Sequence, residues 1–209
     1  MIEIMITDDH PMVLEGLKNV LATEDDLNLA ACFTDGASLI SGLKKKQPDI
    51  LLLDINLPDI NSIELVAKLK SAHPEMKIIA LSVHNEFAVI NSMLTEGASG
   101  YIQKNASGAE IITGIQTVYN GGRFLCAQSK LIMDKKTAEG LRNVPKITRR
   151  EKEILQEAAK GLTSTEIADV LFISTHTVES HRKNLIEKFK VKNIASVIGL
   201  ALEYGLIRK

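Results

Sequence analysis

The feature that most constrains this chain is an alternation, through its first 120 residues, of short apolar runs with longer segments of helical spacing. Residues 3–7, 27–33, 50–54, 76–82 and 100–102 read as strands. Between them, residues 11–22, 36–46, 62–72, 86–95 and 107–119 repeat apolar side chains every three or four positions, which is the period of an amphipathic helix. Strands joined through helices pair in parallel by right-handed crossovers. Ile50-Leu51-Leu52-Leu53 is apolar at every position, as a strand covered on both faces requires. The pattern predicts an α/β doubly wound domain on a five-stranded parallel sheet over residues 1–120.

The alternation then stops. Residues 121–145 pass through Gly121-Gly122, a polar stretch and Pro145, and read as a linker with a short helix near 128–136. Residues 146–209 have no strand signal and fit four helices at 149–160, 164–172, 175–190 and 194–204, an all-α domain. Gly161 and Gly205 punctuate two of their ends, while Ser164 and Ser174 or Thr175 offer oxygens to cap helix starts. Charge divides at the same place. Residues 1–145 hold 13 Lys/Arg against 18 Asp/Glu, whereas residues 146–209 hold 12 against 8, so a near-neutral chain has a basic C-terminal part suited to a polyanion. A solvated basic surface is the plainer account of the same asymmetry.

No apolar stretch approaches the roughly 18 residues of a membrane span. Three acidic residues by position 9, Glu3, Asp8 and Asp9, do not fit a secretory signal, so the expected location is the cytoplasm, with no membrane partner. Cys32 and Cys126 have no metal-binding or CxxC spacing and read as free thiols.

In a parallel doubly wound sheet, functional groups collect beyond the carboxyl ends of the strands. Asp8 and Asp9 end the first predicted strand, Asp54 the third and Ser82 the fourth, and Lys104 follows the fifth. Three converging carboxylates penalise one another's ionisation unless a cation lies among them. Mg²⁺ takes oxygen ligands and commonly meets phosphate at such sites, so the cluster points to phosphoryl chemistry. A histidine beside acids, such as His10, is more often a surface or packing residue than a ligand.

These same residues carry a family resemblance. Ile4-Met5-Ile6-Thr7-Asp8-Asp9-His10, Leu51-Leu52-Leu53-Asp54-Ile55-Asn56-Leu57-Pro58, Ala80-Leu81-Ser82 and Gly100-Tyr101-Ile102-Gln103-Lys104 resemble, in order and spacing, the receiver domain of response regulators, a flavodoxin-like fold. The resemblance implies that Asp54 accepts a phosphoryl group from a phosphohistidine on a sensor histidine kinase. It implies Mg²⁺ held by Asp8, Asp9, Asp54 and the Asn56 carbonyl, with Asp8 acting largely through water. Ser82 and Lys104 would contact the phosphoryl oxygens, and Tyr101 would reorient with the state. Asn56 and His84 occupy positions tied to phosphate lifetime. One position departs from the pattern: Ser62 stands where the family usually has glycine, so the loop must avoid a positive φ or accept strain.

In the C-terminal block, the 175–190 segment puts Val178, Leu185 and Phe189 on one stripe and Glu179, Lys183, Glu187 and Lys190 opposite. A preceding helix over 164–172, with Ile167, Ala168 and Leu171 inward, and a short turn complete a helix-turn-helix. Ile147-Thr148-Arg149-Arg150-Glu151, Gly161 to Ala168 and Ile173 to His181 resemble the LuxR-type helix-turn-helix. With the receiver, this implies the NarL/FixJ subfamily of response regulators. The resemblance makes Glu179, Ser180 and Lys183 candidate base contacts, and Thr175, Thr177, Arg182 and Lys188 candidate phosphate or sugar contacts, on double-stranded DNA. Glu179 either accepts from a cytosine amine or pairs with Lys183 within the helix. His176 and His181, five apart, lack the i, i+4 spacing of a helical zinc site. The apolar final segment, with Ala195, Val197, Ile198, Leu200, Ala201 and Leu202, is expected by resemblance to help pair two DNA-binding domains.

The expectation is a phosphorylation-controlled transcription factor, a homodimer when active, and not a metabolic enzyme. A metal-dependent phosphohydrolase would use the same acids but leaves the helical block unexplained. A regulator whose receiver only binds proteins would have no need of both Asp54 and Lys104.

Overall fold

Alternate residues of a strand point to opposite faces, and in the computed structural model of this chain both faces are apolar. The structure describes residues 1–138, 145 and 147–207, in two units, Met1–Asp134 and Lys135–Lys209.

In the first unit the elements run β1 (Ile2–Thr7), α1 (Pro11–Leu21), β2 (Leu27–Phe33), α2 (Gly36–Leu43), β3 (Ile50–Asp54), α3 (Ser62–Ala72), β4 (Lys77–Ser82), α4 (Phe87–Thr95), β5 (Gly100–Gln103), α5 (Gly108–Tyr119) and β6 (Phe124–Leu125). All pairings are parallel and the order is β2-β1-β3-β4-β5-β6. Met5, Leu51, Leu53, Ile78, Ala80 and Tyr101 face α2, α3 and α4 through Leu39, Leu65, Val66, Leu69, Ile90 and Met93. On the other face, Ile4, Ile6, Ile50, Leu52, Ile79, Leu81 and Ile102 meet Leu14, Leu17, Leu21, Ile111, Ile115 and Val118 of α1 and α5. The expected five-stranded sheet therefore stands, extended by the two-residue β6 at its edge. β6 and helix α6 (Ala127–Ala138) occupy much of the segment expected as a linker, and the predicted short helix at 128–136 lies within α6. The remainder of that segment, 139–144, is outside the described residues.

The sheet order reverses direction at β1, between β2 and β3. That is where a doubly wound sheet opens its crevice, and it sets Asp8, just past β1, beside Asp54 at the end of β3.

The second unit contains α7 (Arg149–Ala159), α8 (Ser164–Leu171), α9 (Thr175–Phe189) and α10 (Ile194–Glu203). Capping boxes start α7 at Thr148 with Glu151, and α8 at Thr163 with Glu166. The α8 cap is thus Thr163 and not Ser164, because only Thr163 has a glutamate three residues on. Ser174 caps α9 by accepting from Thr177 N–H. α8 and α9 end in left-handed caps at Phe172 (φ 53) and Lys190 (φ 54). The first of these reverses the chain between α8 and α9 with no glycine present. Leu155, Leu185, Phe189, Val197 and Ala201 form one core cluster, and Ile154, Ile167, Ala168 and Val178 another. Ile198, Leu200 and Leu202 of α10 pack against the first cluster, so much of the apolar surface of that segment is used inside its own unit. Among the described residues, no helix is long and apolar enough to cross a membrane.

Candidate functional site

The strand ends bring the expected acids together. Asp8 and Asp54 are fully buried. Lys104, carried just beyond β5, reaches back so that its Nζ lies 2.8 Å from Asp54 Oδ2 and 2.7 Å from Asp8 Oδ2. The contact with Asp54 is a hydrogen bond, whereas the one with Asp8 is close but not aligned as one, so it is Coulombic. Asn56 N–H donates to Asp54 Oδ1 at 3.0 Å, and His10 N–H to Asp8 Oδ1 at 2.9 Å. The His10 ring is exposed, with Nδ1 2.6 Å from Asp9 Oδ1, a surface histidine beside the acids.

One ammonium serves two buried carboxylates, and the titration of the group reflects this. Burial pushes the Asp54 carboxyl above its ordinary value and the Asp8 charge adds to the rise, while Lys104 and the Asn56 amide oppose it. Burial works against the Lys104 ammonium, but Asp54 and Asp8 outweigh it and hold its pKa above the ordinary lysine value.

The donor set suits a hard divalent cation. Ligand atoms of Asp8, Asp9, His10 and Asp54 all lie within 4.8 Å of one another. Asp8 Oδ2 and Asp9 Oδ1 are buried with no aligned hydrogen bond, although the Lys104 ammonium lies 2.7 Å from the first and the His10 ring 2.6 Å from the second, and carboxylate oxygens so placed keep lone pairs that a cation or water can meet. Oxygen ligands with net negative charge are what Mg²⁺ selects.

Ser82 is fully buried at the end of β4, and its hydroxyl accepts from His84 N–H at 2.8 Å. The buried Tyr101 hydroxyl donates to the His84 carbonyl at 2.9 Å. Burial is the main cause that pushes the Tyr101 phenol up to about 12. Ser82 and Tyr101 thus both hold the β4–α4 loop, one at each side of the His84 peptide.

The loop after Pro58 avoids the strain that serine would suffer. Among the described residues only Phe172 and Lys190 have a positive φ without being glycine. Ser62 is instead the first residue of α3, with Asn61 as its cap. Asp59 accepts from Gly36 N–H and Ala37 N–H at the start of α2 (2.8 and 2.9 Å), and a Cβ on Gly36 would lie 2.3 Å from Ile60 Cγ2. Sequence reading missed Asp59, whose partners lie more than 20 residues away.

The nucleic-acid candidates separate into two groups. Thr175, Glu179, Ser180 and Lys183 are exposed along α9, with Thr177 half-buried in its first turn. Among the described residues neither Glu179 nor Lys183 joins an ion pair, so both exposed side chains stand open on the surface of α9. Arg182 instead donates to Ser164 Oγ at 2.8 Å, tying α9 to α8. Lys188 Nζ sits 2.7 Å from Oε2 of the buried Glu151, which also accepts from Thr148 N–H. Arg182 and Lys188 therefore brace the helices.

Known proteins are similar to this chain along nearly its whole length. A model of the response regulator receiver domain matches residues 4–116, and one of bacterial regulatory proteins of the luxR family matches residues 145–201. The transcriptional regulatory protein MctR of Rhizobium johnstonii is 33% identical over 209 residues, covering 100% of this chain and 96% of its own. The transcriptional regulatory protein UhpA of Escherichia coli is 36% identical over 193 residues, covering 92% and 94%. Among solved structures, RcsB from Salmonella enterica serovar Typhimurium, bound to promoter rprA in the presence of the phosphomimetic BeF3-, superposes with a TM-score of 0.65 at 25% identity, covering 99% of this chain and 100% of that one.

Proposed function

The chain belongs to the NarL/FixJ subfamily of response regulators, transcriptional regulators that join a receiver domain to a LuxR-type helix-turn-helix, and we propose that Asp54 is the phosphoryl acceptor through which a sensor histidine kinase controls DNA binding by α9. The observation that carries this reading is the Asp8–Lys104–Asp54 arrangement, a buried carboxylate made basic by its surroundings and kept paired with a single ammonium.

In the reaction an Asp54 oxygen attacks phosphorus, the P–N bond of the phosphohistidine breaks, and the imidazole leaves and takes up a proton. Lys104 moves from sharing two carboxylates to meeting a transferred phosphoryl oxygen, offsetting charge where it develops. Ser82, whose oxygen accepts from His84 N–H, keeps its own proton to donate to the phosphoryl group. That contact exists only in the phosphorylated state, so it biases the β4–α4 loop and Tyr101 toward a second arrangement. Asp8, Asp9, Asp54 and the Asn56 carbonyl would hold Mg²⁺, which when bound neutralises phosphoryl charge.

At the output, Thr175, Thr177, Glu179, Ser180 and Lys183 would meet DNA, with Glu179 able to accept from a cytosine amine. Arg182 and Lys188 contribute by holding α9 against α8 and α7. An RcsB structure described as two dimers bound to two parallel DNAs supports a homodimer on DNA as the active form here. Trapping the acyl phosphate and mapping the modified peptide tests the assignment. Modification in the peptide bearing Asp54 is expected, and modification confined to any other peptide would overturn it.

A further inference from the structure

Ser62 stands where the family pattern has glycine, and the structure gives its side chain a partner. It is 1% exposed, and its hydroxyl donates to the Asp54 carbonyl oxygen at 2.9 Å. The ladder leaves that carbonyl without a strand partner. β1 pairs with β3 as far as Thr7 opposite Leu53 and ends there, and among the described residues no backbone N–H beyond the ladder is bonded to the Asp54 oxygen. Buried carbonyls are rarely left unpaired, and here a side chain eight residues downstream fills the place.

The bond also closes a loop. Residues 55–61 leave from Asp54 and return to it through Ser62. Asn56 N–H is fastened to Asp54 Oδ1, Asp59 is fastened to the start of α2, and Asn61 Oδ1 accepts from Ile63 N–H at 3.1 Å. The one segment that carries Asn56 is thus tied at both ends to the backbone and side chain of a single aspartate.

We propose that Ser62 is a positioning residue for phosphoryl transfer at Asp54: its hydroxyl holds the loop bearing Asn56 ordered on the phosphoacceptor, so that the site is formed before a divalent cation enters. The proposal rests on Asp54 being the acceptor. A group ordered in advance need not be ordered by its ligand, so the bond strengthens cation binding without touching the cation.

The test uses the full chain with Ser62→Ala and Ser62→Gly, the latter restoring the family residue. Calorimetric titration with Mg²⁺ alone should show affinity lower by about five-fold in both, the scale of one neutral hydrogen bond. Amide exchange across residues 55–61 should quicken, while exchange in the central strands stays as in the wild type. Wild-type Mg²⁺ affinity and loop exchange in both variants would overturn the proposal, and so would a loss of thermal stability with unchanged affinity. A wild-type chain that binds Mg²⁺ but gains no phosphoryl group from acetyl phosphate would instead overturn the Asp54 reading, leaving the titrations to judge Ser62.

Discussion

Replacing Lys188 with methionine separates a brace from a DNA contact. In the structure its ammonium meets a carboxylate that is 4% exposed and that also completes the capping box of α7. Hydrogen bonds to charged groups contribute about 1.5–3 kcal/mol, and because Lys188 is itself 38% exposed, water screens the pair and the lower end, about 1.5 kcal/mol, applies. That corresponds to roughly a ten-fold fall in amide-exchange protection across α7 and α9, measured in the full-length protein. DNA binding gives the second reading. A lysine on a phosphate contributes about 0.9 to the slope of log affinity against log salt, and Lys188→Met should leave that slope unchanged on a generic duplex. Wild-type protection together with a slope reduced by about 0.9 would refute the brace and restore Lys188 as a phosphate contact. Acid adds a signature. Burial opposes ionisation of Glu151, but Lys188 and the two hydrogen bonds with Thr148 outweigh it and hold the carboxyl below its ordinary 4.5. A depressed folded pKa means the stabilisation is complete above the ordinary value and disappears as pH falls through the folded one. The deficit of Lys188→Met should therefore shrink on acidification below that range.

Other substitutions probe the rest of the account. Lys104→Met leaves two buried carboxylates without their cation and should destabilise the first unit by roughly 3 kcal/mol in chelator, with added Mg²⁺ recovering part of the loss. A variant as stable as wild type in chelator would contradict the shared-ammonium description. Asp54→Asn should raise thermal stability in chelator, since a raised folded pKa means that ionised Asp54 costs stability once pH passes that value; a lower midpoint would contradict the burial argument. Phe172→Gly should stabilise the second unit by about 0.5–1 kcal/mol, because Phe172 is 95% exposed and has φ 53, so strain is relieved and no packing is lost. A destabilised variant would show that the ring has a partner.

What the sequence made legible follows from where the chemistry sits along the chain. Asp8, Asp9, Asp54, Ser82 and Lys104 end or follow strands, and strand ends in a parallel sheet converge, so order and spacing were enough to gather them. The two-sided core was readable from Ile50 to Leu53 for the same reason. β6 was not, since a two-residue edge strand has no periodicity and exists only through its pairing with Gly100 and Tyr101. Ser62 was seen as a departure but not as a donor, because its acceptor is a main-chain oxygen left over by the sheet. The pairing of Lys188 with Glu151 was not legible, because the partner lies 37 residues away on another helix. Pairings between helices are set by packing, and local spacing does not report them.

The most direct test of the central claim is the affinity of the full chain for a promoter fragment, chosen by genome-wide binding, with and without acetyl phosphate and Mg²⁺. The account predicts that phosphodonor changes affinity for the wild type and leaves Asp54→Ala at its unphosphorylated level. An equal response in Asp54→Ala, or no response in wild-type protein shown to carry the phosphoryl group, would contradict it.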